Sequence, residues 1–207
     1  TSRQNPLCKL VRSLHSSKGR REQNLFLAEG RNAVDAALEG GWPISQVLCA
    51  PQESEKWRNK VPPETQFHEV APEILEYLSD AQTATEVLAL CELPLQQSDL
   101  KFENLLLLLD SVSDPGNVGT LIRAADAAGA GRILLTSNSA DAFSPKVVRA
   151  SAGSVFHLPP IQLENNSSRT IIEKLEAQST PILIADASAE ISCFDFAWPE
   201  KCAIVLG

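Results

Sequence analysis

The sequence predicts an α/β protein, with a small α/β domain over residues 1–93, a linker at 94–104 and a parallel-sheet domain over 105–207. Three observations carry this reading. Apolar runs of strand length alternate with segments whose apolar residues recur at helical spacing. The stretch "PLQQSDLKFEN" (94–104) is polar and offers little to pack. Beyond it, "LLLLLD", "RILLT", "PILIAD" and "KCAIVLG" are continuously apolar, as strands are when helices cover both faces of a parallel sheet.

In order, "NPLCKLVRSLH" (5–15) sets Leu7, Leu10, Val11 and Leu14 on one helix face, behind a capping Asn5 and Pro6 in the first turn. "NLFLAEG" (24–30) reads as a short strand, and "RNAVDAALEGG" (31–41) as a helix stopped by two glycines. "ISQVLCA" is a strand, "PQESEKWRNK" a polar helix or turn, and "TQFHEV" a strand. "APEILEYLSD" is a helix and "EVLALCEL" closes a sheet that this order allows to be mixed. After the linker come a strand at 105–110, a helix near 117–128 capped by Asn117, and a strand at 132–136. Next is a helix in "SPKVVRASA" with Ser144 as cap and Pro145 in its first turn. An apolar stretch at 155–161 follows, in which His157 reads as an ordinary strand residue, then a helix in "SSRTIIEKLEAQ" and two last strands. The sequence stops directly after an apolar strand, so further chain is expected past Gly207. The absence of methionine likewise suggests a trimmed N-terminus.

The net charge of −8 is unevenly spread. Residues 1–31 hold seven basic side chains against Glu22 and Glu29, a local +5, which leaves −13 for the remainder. A basic segment on an acidic protein suggests an anionic partner met at one place, with Lys18, Arg20, Arg21 and Arg31 as phosphate contacts. A solvated helix and loop is the competing reading. Five scattered cysteines without a C-x-x-C pair read as reduced thiols, and His15, His68 and His157 lack metal spacing, so no metal site is expected. No run of about twenty apolar residues and no signal-peptide core occur, so a cytoplasmic protein without a membrane span is expected.

The stretch "DPGNVGTLIRAADAAG" (114–129) carries the most chemistry. Pro115 and Gly116 force a turn, and Gly119 permits close approach of a ligand or a neighbouring backbone. Neither G-x-G-x-x-G nor a P-loop is present. Leu121, Ile122, Ala125 and Ala128 form the core face, and Arg123 lies off it. Arg123 is either half of a surface pair with Asp126 or a fixed cation beside a strand-end site, suited to gripping phosphate. Ligands of parallel sheets sit at the carboxyl ends of strands, where Asp110, Thr136, Ala185, Asp186 and Gly207 fall. The small Ala185 and Gly207 would let a cofactor lie against backbone. Asp110 either binds a ribose hydroxyl or stabilises its own loop. Arg149 is a candidate RNA contact or a surface ion pair. No G-x-S-x-G elbow supports a hydrolase.

"LDSVSDPGNVGTLIRAADAAGAGRILL" (109–135) closely resembles the first signature motif of SpoU-type RNA 2′-O-ribose methyltransferases of the knotted SPOUT superfamily. "SPKVVRASAGSVFHLP" (144–159) resembles the segment those enzymes carry next. "VRSLHSSKGRREQNLFLAEGRNAVDAAL" and "EVLALCEL" resemble their L30e-like N-terminal substrate-binding domain, with Glu86 where relatives often have glycine. The resemblance implies methyl transfer from S-adenosyl-L-methionine to a ribose 2′-hydroxyl of RNA, most simply 23S rRNA, with Asn117 and Arg123 in the catalytic site. It also implies a trefoil knot, a homodimer through the catalytic domain, and cofactor near Ala185 and Gly207. "IVLG" resembles the start of the family's second motif. A transfer-RNA substrate, or a non-catalytic RNA-binding or ribosome-assembly protein on the same fold, are the alternatives.

Overall fold

The structure is a computed structural model that describes residues 4–81, 85–95, 104–163 and 168–207. Residues 96–103 of the expected linker lie outside the described residues. In the first half, α1 (Pro6–Ser13) starts where the Asn5 side chain accepts the Leu7 N–H at 2.9 Å. A helix not predicted from the sequence follows, α2 (Ser17–Gln23), capped by Ser16 and ended by Asn24 in the left-handed region at φ 54°. Then come β1 (Leu25–Glu29), α3 (Arg31–Glu39), β2 (Ile44–Cys49), a 3-10 turn leading into α4 (Ser54–Arg58), β3 (Gln66–Glu69), α5 (Pro72–Leu78) and β4 (Val87–Glu92). The sheet order is β1-β4-β2-β3, with β4 antiparallel to both neighbours and β3 parallel to β2, so the sheet is mixed.

Strand periodicity sends Leu27, Leu48, Leu88 and Leu90 to one face of this sheet, where they meet Val11 and Leu14 of α1 and Leu75 and Leu78 of α5. Phe26, Ala28, Val47 and Ala89 point the other way, toward α3 and the second half of the chain. Trp57, from a stretch read as polar, is fully buried on that side.

The second half comprises β5 (Leu105–Leu109), α6 (Pro115–Ala127), β6 (Arg132–Leu135), α7 (Pro145–Ala150), α8 (Ser154–His157), β7 (Ile161–Gln162), α9 (Ser168–Ala177), β8 (Ile182–Ile184) and β9 (Cys202–Leu206). Every pairing is parallel, in the order β7-β6-β5-β9-β8. The leucine run divides by parity. Leu106 and Leu108 pack under Ile171 and Leu175 of α9, whereas Leu107 and Leu109 pack under α6 and α7 through Val118, Ile122, Val147 and Val148. The chain enters at β5, winds outward to β7, then crosses to β8 and returns at β9. The order therefore reverses between β5 and β9, the crevice where open α/β sheets bind ligands.

Two expectations change here. The helix after β5 begins at Pro115, two residues earlier than read, and its cap is Asp114 rather than Asn117. The apolar stretch at 155–161 is one helical turn followed by a two-residue strand, so His157 ends a helix.

The halves share one core. Phe26 lies 4.9 Å from Phe143 between ring centroids and 5.9 Å from Phe156, and Trp42 meets Phe156 edge-on at 5.4 Å. Cys8, Cys49, Cys91 and Cys202 are buried and free, and burial pushes the Cys49 thiol up to about 11. Among the described residues no helix is long and apolar enough to cross a membrane, and no cluster of metal-ligating side chains occurs.

Candidate active site

The loop from β5 to α6 is held in place from beneath. Asp110 N–H donates to Leu206 O at 2.8 Å, which locks the loop's first residue to the end of β9. Thr136, buried at the end of β6, donates its hydroxyl to Asp110 Oδ1 at 3.1 Å and accepts the Ser111 N–H at 2.9 Å. Ser139 repeats the arrangement, donating to Leu109 O at 3.1 Å and accepting the Val112 N–H at 3.2 Å. These bonds support Ser111 at φ 60°, a conformation a non-glycine residue holds only when its surroundings enforce it. Of the two readings of Asp110, the loop-stabilising one is present in the structure. Gly207 packs against the same spot: a Cβ there would come within 2.4 Å of Asp110 O, so the β5 and β9 ends meet backbone to backbone.

At the start of α6 the Asp114 carboxylate accepts the Asn117 N–H at 2.9 Å, with Lys146 of α7 at 3.7 Å. The Asn117 N–H bond, aided by Lys146, holds the Asp114 carboxyl below its ordinary range. Lys146 was not singled out in the sequence, because only the fold brings α7 alongside α6. Gly119 resolves as a site of backbone approach rather than of ligand approach, since a Cβ would lie 2.4 Å from Ala150 Cβ and 2.8 Å from Val147 O. This close crossing presses α6 onto α7 and leaves its opposite face bare.

That bare face carries Asn117, Thr120 and Arg123, three apart and all exposed. Thr120 returns its hydroxyl to Gly116 O at 2.9 Å, whereas the side chains of Asn117 and Arg123 have no hydrogen-bond or ionic partner among the described residues. The surface-pair reading of Arg123 is not seen, because Asp126 lies instead 3.6 Å from His157 Nδ1. The earlier helix start puts Arg123 eight residues in, beyond reach of the helix-end dipole, which fades within the first turn.

The other expected site residues separate into two sets. Ala185 N–H donates to Val205 O at 3.1 Å, so Ala185 and Gly207 end the adjacent strands β8 and β9, and both are exposed. Lys18 and Arg21 are exposed, Lys18 beside Glu22 at 3.7 Å. Arg31 is tied to Glu86 at 2.9 Å and Glu53 at 3.6 Å. Arg20 is buried at 3 % exposure, donating to Leu14 O at 2.7 Å and to Asp141 at 2.6 Å, so the guanidinium expected on phosphate is committed inside the protein. Arg149 likewise turns inward to the buried Glu29 of β1. Both arginines pair residues of the first half with residues of the second, and neither partner is visible locally because each lies more than a hundred positions away.

Fold and site together define a two-part α/β enzyme, a parallel-sheet domain with a ligand edge joined to a smaller mixed-sheet domain. The chain belongs to the SpoU rRNA Methylase family, which matches residues 104–207, and the MRM3-like substrate binding domain matches residues 5–89. A 23S rRNA (uridine(2479)-2′-O)-methyltransferase of Streptomyces viridochromogenes is 31% identical over 192 residues, covering 88% of this chain and 67% of the relative. A 23S rRNA (guanosine(2553)-2′-O)-methyltransferase of Bacillus subtilis is 30% identical over 185 residues, covering 87% and 70% respectively. The crystal structure of the SpoU methyltransferase AviRb from Streptomyces viridochromogenes with AdoMet superimposes with a TM-score of 0.82 at 28% identity, covering 98% of this chain and 80% of that one.

Proposed function

We propose that this protein transfers a methyl group from S-adenosyl-L-methionine to a ribose 2′-hydroxyl of 23S rRNA. The observation that carries the reading is the exposed Asn117–Thr120–Arg123 face beside the strand-end edge, with Arg123 uncommitted to any described partner. The cofactor supplies an electrophilic methyl on a sulfonium. A ribose hydroxyl is a poor nucleophile that must shed its proton as it attacks in line, so the protein's share is placement and charge. Arg123 grips the neighbouring phosphate through its planar fork and offsets the developing alkoxide charge. Its part is electrostatic rather than that of the base. Asn117, with a donor and an acceptor on one short side chain, orients the ribose.

The ends of β5, β9 and β8 fit the cofactor in kind. They present backbone and the small Ala185 and Gly207, and Gly207 has no room for a side chain against Asp110. Lys18 and Arg21 hold RNA phosphates on the L30e-like domain. The proposed boundaries are residues 1–93 for that domain, 94–104 for the linker and 105–207 for the knotted catalytic domain. The protein works in the cytoplasm as a homodimer through the catalytic domain, which accounts for Ile184 at 69% and Phe194 at 94% exposure.

The test is single-turnover methylation of 23S rRNA together with cofactor titration. Arg123→Ala is expected to lose about 10²–10³ in rate, the scale of one lost oxyanion donor, with cofactor affinity little changed. Arg123→Lys is expected to fail as well, because an ammonium cannot reproduce the fork. Near-normal turnover in Arg123→Ala would remove this residue from the mechanism.

A further inference from the structure

Where the two halves meet, beside the β7 edge of the parallel sheet, lies a cavity of about 550 Å³. That is the size of a pocket for one small ligand. Its lining divides by chemistry. Phe143, Leu158, Pro159 and Pro160 make an apolar wall, and Leu95 stands over it at 89% exposure. The rest of the lining is polar and includes Arg20 with its partner Asp141, and Arg21 and Asn24 of α2 and its end.

Two groups on this side are free to meet a ligand. The Arg20 guanidinium is buried and both its terminal nitrogens are bonded, to Leu14 O and to Asp141, so it shapes this side without binding there. Arg21 is exposed and has no ion pair among the described residues, in a chain whose net charge is −8. The Asn24 amide is likewise uncommitted, and the left-handed backbone at that position fixes where it starts. An apolar wall, one exposed cation and one amide suit a planar ring with polar edges carrying a phosphate.

We propose that this cavity receives a single unpaired RNA nucleotide other than the one methylated, an inference that rests on the RNA-methylating reading above. The base lies against Phe143 and the prolines, its edge meets Asn24, and its phosphate meets Arg21. The cavity is wired to the reaction edge. Its wall residue Gln162 donates to Thr136 O at 3.1 Å, and the Thr136 hydroxyl holds Asp110. A captured neighbour fixes the register of the strand and so sets which ribose arrives at Arg123.

The experiment uses a single-stranded RNA of about twelve nucleotides carrying 4-thiouridine, photo-crosslinked to the whole protein and mapped by peptide mass spectrometry. Uridine monophosphate serves as the free-nucleotide probe, and methylation of 23S rRNA by the same wild-type preparation is measured in parallel. Crosslinks are expected in the segments holding Leu95 and 157–162. Arg21→Glu and Asn24→Gly are each expected to weaken binding about tenfold without a change in melting temperature, as loss of one phosphate or base contact should. Millimolar uridine monophosphate should not displace the RNA. Crosslinks confined elsewhere, with affinity unchanged in both variants, would overturn the proposal, and displacement by the monophosphate would overturn it in favour of a free nucleotide. If methylation persists in that case, only the cavity assignment falls; if wild-type protein methylates no RNA, the underlying reading falls with it.

Discussion

Arg149→Ala removes the cation that meets Glu29 across the junction of the two halves. The Glu29 side chain is 1% exposed; its Oε2 accepts from Arg149 and from Ser79 Oγ at 3.1 Å, and its Oε1 has no hydrogen-bond partner among the described residues. Without Arg149 a buried carboxylate keeps one hydroxyl as its whole compensation. Breaking such a pair costs about 3–5 kcal/mol. Arg149 retains 29% exposure, so water can enter its place and the lower end, about 3 kcal/mol, applies. For a chain of this size each kcal/mol moves the melting temperature by about 2–4 °C, so a fall of about 6–12 °C is expected in thermal melts followed by circular dichroism. Glu29→Gln with Arg149→Ala should recover more than half of the loss, since the stranded charge is then gone. A change below about 0.5 kcal/mol, paired with a shallower salt dependence of RNA binding, would refute this account and return Arg149 to the phosphate backbone.

Two further outcomes follow from the geometry of α6. Gly119→Ala forces α6 and α7 apart, because the new methyl would sit 2.4 Å from Ala150 Cβ; a loss of about 1–3 kcal/mol is expected in urea unfolding, and a neutral result would contradict the close crossing. Asp114 has its carboxyl held below the ordinary 3.8, so its charge stabilises the fold above that value and the contribution disappears as pH falls through the lowered one. Asp114→Asn keeps a capping oxygen without the charge, so its deficit against wild type should hold at about pH 6 and close at about pH 2. A deficit that persists in acid would show that the charge is not its cause.

Much of this architecture was legible because its signals are local. Five successive leucines of strand length, closed by Asp110, read as a strand covered on both faces, and Pro115 with Gly116 marks the turn after it. Helix α2 was missed because "SSKGRREQ" has no apolar stripe. It holds through the Ser16 cap and through Gly19, whose Cα presses against Ser13 O so closely that a Cβ would lie 2.0 Å away. Trp57 was missed because one large ring, surrounded by charged neighbours, can bury itself without making a periodic pattern. The candidate site shows the same division. Asn117 and Arg123 fall on one helix and could be read together. The roles of Arg20 and Arg149 depend on Asp141 and Glu29, and only the folded chain supplies those neighbours.

The central claim is that this protein places one 2′-O-methyl group on 23S rRNA through Arg123, and mapping ribose methylation in cells lacking the gene tests it most directly. One nucleotide is expected to lose its methyl group, regain it when the wild-type gene is restored, and remain unmethylated when Arg123→Ala is supplied at equal protein level. An unchanged methylation map in the deletion, or full restoration by Arg123→Ala, would contradict the account.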